Sequence, residues 1–300
     1  MGKTVGCTHR NVVAVAVLAV SVMAGTSCQN KVAGPDPLSV AVFVPGVVSG
    51  SPTYEMLVEG AREAVAGKEG ATLTVIEAGY DQSAWLDRLR DTVASGRFGT
   101  VVSSNPSLPE LCATLSADYP SVRFLIADAY FQGHPAIHTV LYNQKEQGYI
   151  VGYLAGVLTK ERLEGKTGGT ADGGTSGLKA GMVIAQRYPT LDRLILPGFE
   201  AGLKAVDQSF VLETREIGNW YDSAKAAELA RSLFAGGAHV VLPIAGAAGQ
   251  GVVSAAVEAG GKVVWFDGAG YQLDPDAVIG CATIAQDRLV RERLEMILSG

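Results

Sequence analysis

Apolar positions along this chain fall into two alternating patterns. Ser39-Val-Ala-Val-Phe-Val44 is a nearly unbroken apolar run, as a strand buried on both faces requires. Over 53–66, Met56, Leu57, Ala61 and Ala64 recur at helical spacing. The unit then repeats: strand 71–76, helix 83–94, strand 100–102, helix 108–117, strands 122–126 and 137–141, and an amphipathic helix over 144–158. The stretch 165–177, GKTGGTADGGTSG, is almost devoid of apolar residues and reads as a solvated loop. Beyond it the alternation restarts, with strands 180–185, 210–217, 240–243, 262–266 and 277–283 and helices near 190–206, 222–235 and 249–258. A further helix begins at Asp287.

Repeated strand–helix units on both sides of a polar linker predict two α/β lobes with parallel sheets flanked by helices. Ligands of such sheets bind outside the carboxyl ends of the strands, so two facing lobes put those ends around a cleft. Asn105, Asp128, Trp220 and Asp267 each follow a strand and open toward it. Trp220 sits in REIGNWYDSAKAAELA, where a strand ends and Asp222 or Ser223 caps a helix, an exposed place for a large aromatic. Trp85 and Trp265 lie within apolar periodic runs and read as core.

The N-terminus changes the picture of where the protein works. Lys3 and Arg10 precede an apolar segment, 12–23, that is too short for a comfortable membrane span. Gly25-Thr26-Ser27 then leads to Cys28. This resembles a bacterial lipobox with Gly25 in the usual place of Leu, making Cys28 the lipidated mature N-terminus; ordinary secretory cleavage is the other reading. The division expected is signal peptide 1–27, tether 28–37, first lobe 38–162 with 284–300, and second lobe 178–281.

Composition excludes several classes. The 300 residues are 48% hydrophobic and 18% charged, with a formal net charge of −6, which argues against nucleic acid as partner. Four cysteines are too few for a disulfide scaffold; Cys112 and Cys281 read as buried small hydrophobes. No His-x-x-x-His, Cys-x-x-Cys, nucleophile elbow or phosphate-loop spacing is present, so neither a catalytic residue nor a metal ligand or cofactor site is assigned. Gly246-Ala-Ala-Gly-Gln-Gly251 opens a helix after a strand; it allows either a ligand or a neighbouring element to approach the backbone.

Several segments together resemble the basic membrane protein family of substrate-binding lipoproteins, which includes bacterial purine-nucleoside receptors. They are YNQKEQGYIVGYLAGVLTK (142–160), GFEAGLKAV (198–206), AGGAHVVLPIAGAAGQGVVSAAVEAG (235–260) and VVWFDG (263–268). The resemblance implies a two-lobed type I periplasmic-binding-protein fold with three interlobe crossings, the final helix returning to the first lobe. It also implies a monomer that delivers a small molecule to an ABC permease, held to a bacterial membrane by a lipid anchor and facing the periplasm or cell exterior. Relatives continue past the position of Gly300, so further residues are expected there.

Carried over by motif, the family's stacking aromatics fall on Tyr54 and Trp220, and its ligand-binding acids on Asp128 and Asp267. Asn105, Tyr142, Asn143, Gly246 and Gln286 complete the expected ligand site. The departures are Gly50-Ser51 in place of an acidic pair, Glu55 in place of Asn, Gln286 in place of Lys, and Pro197 inside a helix. Loss of charge and the broader aromatic Trp220 make the pocket resemble that of the family's riboflavin-binding lipoproteins, with Asn105, Asn143 and Gln286 expected along the ribityl chain. A purine nucleoside is the alternative ligand, and a sensor not coupled to transport the alternative role.

Overall fold

A computed structural model describes residues 1–2, 34–165 and 177–300 of the chain. It divides into a unit Met1–Ala33, of which two residues are described, and a unit Gly34–Gly300 that holds all the elements below. Residues 3–33, which include Cys28 and most of the expected signal peptide, and residues 166–176 of the expected solvated loop lie outside the described residues.

The first lobe contains β1 (Asp36–Val44), α1 (Pro52–Ala66), β2 (Thr72–Glu77), α2 (Trp85–Ala94), β3 (Phe98–Ser104), α3 (Leu108–Ser116), β4 (Arg123–Ala127) and β5 (Ile137–Val140). There follow α4 (Gln144–Leu163), β6 (Lys179–Ile184), α5 (Leu196–Val206), β7 (Val211–Glu216), α6 (Ser223–Ala235), β8 (Val240–Ile244), α7 (Gly249–Ala259), β9 (Lys262–Asp267), β10 (Val278–Thr283) and α8 (Gln286–Ser299). Two five-stranded sheets result, ordered β2-β1-β3-β4-β5 and β10-β9-β8-β6-β7, and their strand pairs are parallel. Traced from β7 to β10, the second sheet repeats the order of the first, so β4 and β9 occupy equivalent places. In each sheet the central strands are buried, β3 along its whole length.

Helix α8 packs on α1, and its Val290, Leu294 and Leu298 enter the core around Val40, Val42 and Val44. Helix α4 departs from expectation. Val151 and Ala155 pack with Met182, Phe199 and Leu203, in the core of the second lobe. The first lobe therefore ends near 141–143 rather than at 162. The partner of α4 is α5, and small residues let the two backbones touch: a Cβ on Gly152 would overlap the Phe199 carbonyl, and one on Gly202 the Tyr149 carbonyl. Among the described residues the chain passes between lobes at 141–143 and again at 284–285. The segment between β9 and β10 joins two neighbouring strands of one sheet, so the chain does not change lobes there.

Two prolines shape the second lobe. Pro197 cannot donate a backbone hydrogen bond, and its ring crowds the preceding turn; the helix expected over 190–206 accordingly widens into a π turn, Leu191–Ile195, before α5 begins. Pro243 stands inside the central strand β8. Pairing of β8 with β9 stops at Val241, while pairing with β6 continues to Ile244. The sheet thus parts at its carboxyl end, where Pro243 and Ile244 border a cavity.

Candidate functional site

A cavity of about 550 Å³ lies between the carboxyl ends of the two sheets. Its walls come from the turns that follow strands in both lobes, the places the sheet topology reserves for ligands.

Tyr54 enters from the first turn of α1. Its hydroxyl donates to the Pro45 carbonyl at 3.1 Å, its ring edge crowds Gly46, and burial pushes its phenol well above the ordinary value. Trp220 enters from the opposite lobe. The turn before α6 is set by Asn219, which accepts from the Tyr221 and Asp222 amides, and by Asp222, which caps the helix by accepting from the Lys225 amide. Gly246, in the left-handed region at φ 53°, lies directly against the Trp220 ring, with room for a Cβ only 3.4 Å from Cε3. The glycine turn thus serves close approach to Trp220. The indole Nε1 donates to Gln186 Oε1 at 3.0 Å, and the Tyr188 ring lies 5.9 Å away at a 50° tilt. Asn105 lines the same cavity; its Oδ1 accepts from the Ser107 amide at 2.8 Å and its side chain lies against the Tyr54 hydroxyl.

The floor carries two acids. Asp128 follows β4, and Asp267 ends the equivalent strand β9. They have φ of 52° and 67°, and they are the non-glycine residues with positive φ among the described residues. That conformation costs roughly 1–2 kcal/mol per residue for an L-amino acid, so two equivalent instances at one cavity indicate a geometry retained for the site. One helix serves both acids. Gln144 Nε2 donates to Asp128 Oδ1 at 2.9 Å, and Gln147 Nε2 donates to Asp267 Oδ1 at 3.0 Å. Gln147 also donates to the Ala282 carbonyl at 2.8 Å. This orientation leaves Oε1 of both glutamines buried without a partner, at about 1–3 kcal/mol apiece. Burial raises the Asp267 carboxyl to about 6, against a hydrogen bond from Gln147 that lowers it. Burial raises Asp128 well above the ordinary carboxylate range, and the neighbouring charge of Asp267 pushes in the same direction.

Of the nine ligand-site residues expected, Tyr54, Asn105, Asp128, Trp220, Gly246 and Asp267 converge on this cavity. Tyr142, Asn143 and Gln286 do not line it. Asn143 caps α4, accepting from the Glu146 amide and donating to Glu146 Oε2. Gln286 is fully buried; it donates to the Thr53 carbonyl at 2.6 Å and accepts from Ser104 Oγ and from the Tyr142 hydroxyl. Tyr142 and Gln286 thus tie together the two segments that cross between lobes.

Other wall residues were not singled out from the sequence. Gln186 and Tyr188 follow β6, and Tyr80 and Gln82 follow β2, the same position after a strand that marked Trp220. Gln82 Nε2 donates to Gln186 Oε1 at 3.1 Å, and the Tyr80 and Tyr221 rings meet at 5.1 Å, so both contacts span the mouth between lobes. Trp85 and Trp265 are buried in their lobes' cores, as their periodicity suggested, and each also borders the cavity. Cys112 is fully buried; Cys281 is half-buried and accepts from the Gly270 amide. Among the described residues no group of three or more His, Cys, Asp or Glu is placed to hold a metal.

The family model for Bmp, the PnrA-like ABC transporter substrate-binding proteins, matches residues 38–300. The nucleoside-binding protein BmpA of an ABC transporter in Lactococcus lactis subsp. cremoris is 24% identical over 150 residues, 50% of this chain and 38% of that protein. Basic membrane protein B of Borrelia garinii subsp. bavariensis is 23% identical over 224 residues, 68% of this chain and 61% of that protein. The chain therefore spans less than two thirds of the length of these relatives. A crystal structure of a solute-binding protein of an ABC transporter system from Aeropyrum pernix K1 superimposes with a TM-score of 0.77 at 20% identity, covering 87% of this chain and 71% of that one. That likeness establishes a two-lobed solute-binding fold.

Proposed function

The chain belongs to the Bmp family of PnrA-like ABC transporter substrate-binding proteins, and from that premise we propose that it captures a planar nitrogen heterocycle bearing a sugar, a purine nucleoside first. The observation that carries this reading is that Tyr54 and Trp220, from opposite lobes, line one cavity together with two carboxylates held by α4. Flat rings stack between facing aromatics, and carboxylate oxygens accept from vicinal hydroxyls and ring N–H groups. Riboflavin is the second reading. It is favoured by the breadth of the aromatic wall, where Trp220 is flanked by Tyr188. It is weakened because, of the three neutral groups expected along its ribityl chain, Asn105 lines the cavity but Asn143 and Gln286 do not.

In this proposal the protein is a monomer, lipid-anchored at Cys28 outside the cytoplasm, and it hands its ligand to an ABC permease without chemical change. Calorimetric titration of ligand-stripped protein with inosine, adenosine and riboflavin tests the ligand class. Saturable binding of a nucleoside, with the nucleoside recovered intact, is expected. Binding of riboflavin alone replaces the nucleoside by the flavin, and binding of none of the three removes the heterocycle reading.

A further inference from the structure

We infer that this cavity is built for a heterocycle that carries a positive charge, such as an N-alkylated nucleoside. The inference rests on the reading of the cavity as a heterocycle site and specifies the charge of the ligand it takes. Asp81, Asp128 and Asp267 border the cavity, and among the described residues no Lys, Arg or His lines it.

Asp81 is exposed and already committed: it caps a short turn, accepting from the amide and hydroxyl of Ser83, which hold its carboxyl below the ordinary range. The deep pair differs. Each of Asp128 and Asp267 receives one hydrogen bond, from a neutral glutamine amide to Oδ1, and Oδ2 of each has no partner among the described residues. The other titratable groups that face the pair are the phenols of Tyr54, Tyr142 and Tyr188; burial raises each, so they remain neutral donors. Asp287, beyond Tyr142, adds further negative charge. Gln286, beside Tyr142, is neutral and fully engaged.

Two carboxylates that share one cavity and sense each other's charge need a counter-charge, and a desolvated carboxylate is harder to ionise where none is supplied. With no ligand, burial raises both carboxyls, Asp267 to about 6 and Asp128 well above the ordinary range, so their charged forms are held at a cost that a cation relieves. Ribose hydroxyls satisfy the oxygens' hydrogen-bonding capacity but bring no charge. A cationic ring brings both partners the site lacks: it neutralises the acids, and it sits against Tyr54, Tyr188 and Trp220, whose ring faces attract cations.

The test uses the full-length, ligand-stripped protein and three probes: adenosine, N6-methyladenosine, and its isomer 1-methyladenosine, which is cationic at neutral pH. The two isomers match in mass and size, so charge and the place of one methyl are what distinguish them. The expected result is binding of 1-methyladenosine at least about tenfold tighter than N6-methyladenosine and adenosine. Asp267→Asn, with its melting temperature checked, reduces the affinity for 1-methyladenosine by a larger factor than that for adenosine. Equal or tighter binding of the neutral probes overturns the charge inference and leaves the heterocycle reading in place. Binding of none of the three overturns both. A Asp267→Asn effect equal for both ligands overturns the assignment of that acid to the charge.

Discussion

Truncating Trp220 separates a binding role from a packing role. In Trp220→Ala the ring that lines the cavity from the second lobe disappears, and with it the Nε1 bond to Gln186. Stacking of an aromatic side chain on a heterocycle is worth roughly 1–3 kcal/mol, and each 1.4 kcal/mol is about tenfold in affinity. Trp220→Ala therefore weakens ligand binding by about 5- to 150-fold. Trp220→Phe keeps a stacking face and gives up only the indole donor, a loss of about 0.5–1.5 kcal/mol. Its binding falls by a smaller factor than that of Trp220→Ala. The ring is half-buried and rests on a glycine turn instead of filling a core layer, so the ligand-free melting temperature moves by no more than a few degrees. Calorimetry with the best-binding nucleoside, paired with thermal melts of both variants without ligand, provides the readout. An affinity for Trp220→Ala within about twofold of wild type, together with a large drop in melting temperature, refutes the stacking argument and makes Trp220 a packing residue.

The mouth contact is open to a similar approach. Gln82→Ala deletes the hydrogen bond to Gln186 across the lobes, shifting the closed–open balance by about 0.5–1.5 kcal/mol; small-angle scattering should show a larger radius of gyration, and unchanged profiles with and without ligand refute the latch. Asp267 predicts a pH dependence. Its carboxyl rises from 3.8 to about 6 in the folded protein, so between those values the native state binds more protons than the unfolded state, and ligand-free stability falls as pH rises through that window. His239, lowered to about 4 chiefly by burial, acts in the opposite sense, its stability being lost as pH falls from 6.5 toward 4. The quantity to measure is therefore the difference in denaturant midpoint between wild type and Asp267→Asn across this range; a difference independent of pH removes the buried-acid argument. Labelled palmitate should enter the wild-type protein and not Cys28→Ser, and equal labelling ends the lipoprotein reading.

Much of the architecture is local information. A strand buried on both faces must be apolar along its length, and a helix lying on a sheet must show apolar residues every three or four positions. Runs such as 39–44 and 240–243 therefore declare themselves one at a time. The rule that ligands gather beyond the carboxyl ends of parallel strands then picked out Asn105, Asp128, Trp220 and Asp267 without any coordinates. Applied evenly, the same rule also picks out Gln186, Tyr188, Tyr80 and Gln82, which follow strands just as Trp220 does.

Tertiary structure alone decided which side of the hinge α4 belongs to. Its apolar face and its glycines suit any close partner, and only packing against α5 assigns it to the second lobe. The same holds for its two glutamines: Gln144 and Gln147 reach acids 16 and 120 residues away, and no periodicity encodes a contact of that span. Gln286 shows the converse. By its motif it belonged at the ligand, but the start of α8 turns it inward to bind Thr53, Ser104 and Tyr142. The sequence by itself determined which segments become strands, helices and strand-end turns, because burial and backbone geometry act over a few neighbouring residues. Which of those turns meet across a cavity, and whether a polar side chain lines that cavity or bonds the chain's own backbone, is set by how the two lobes pack together.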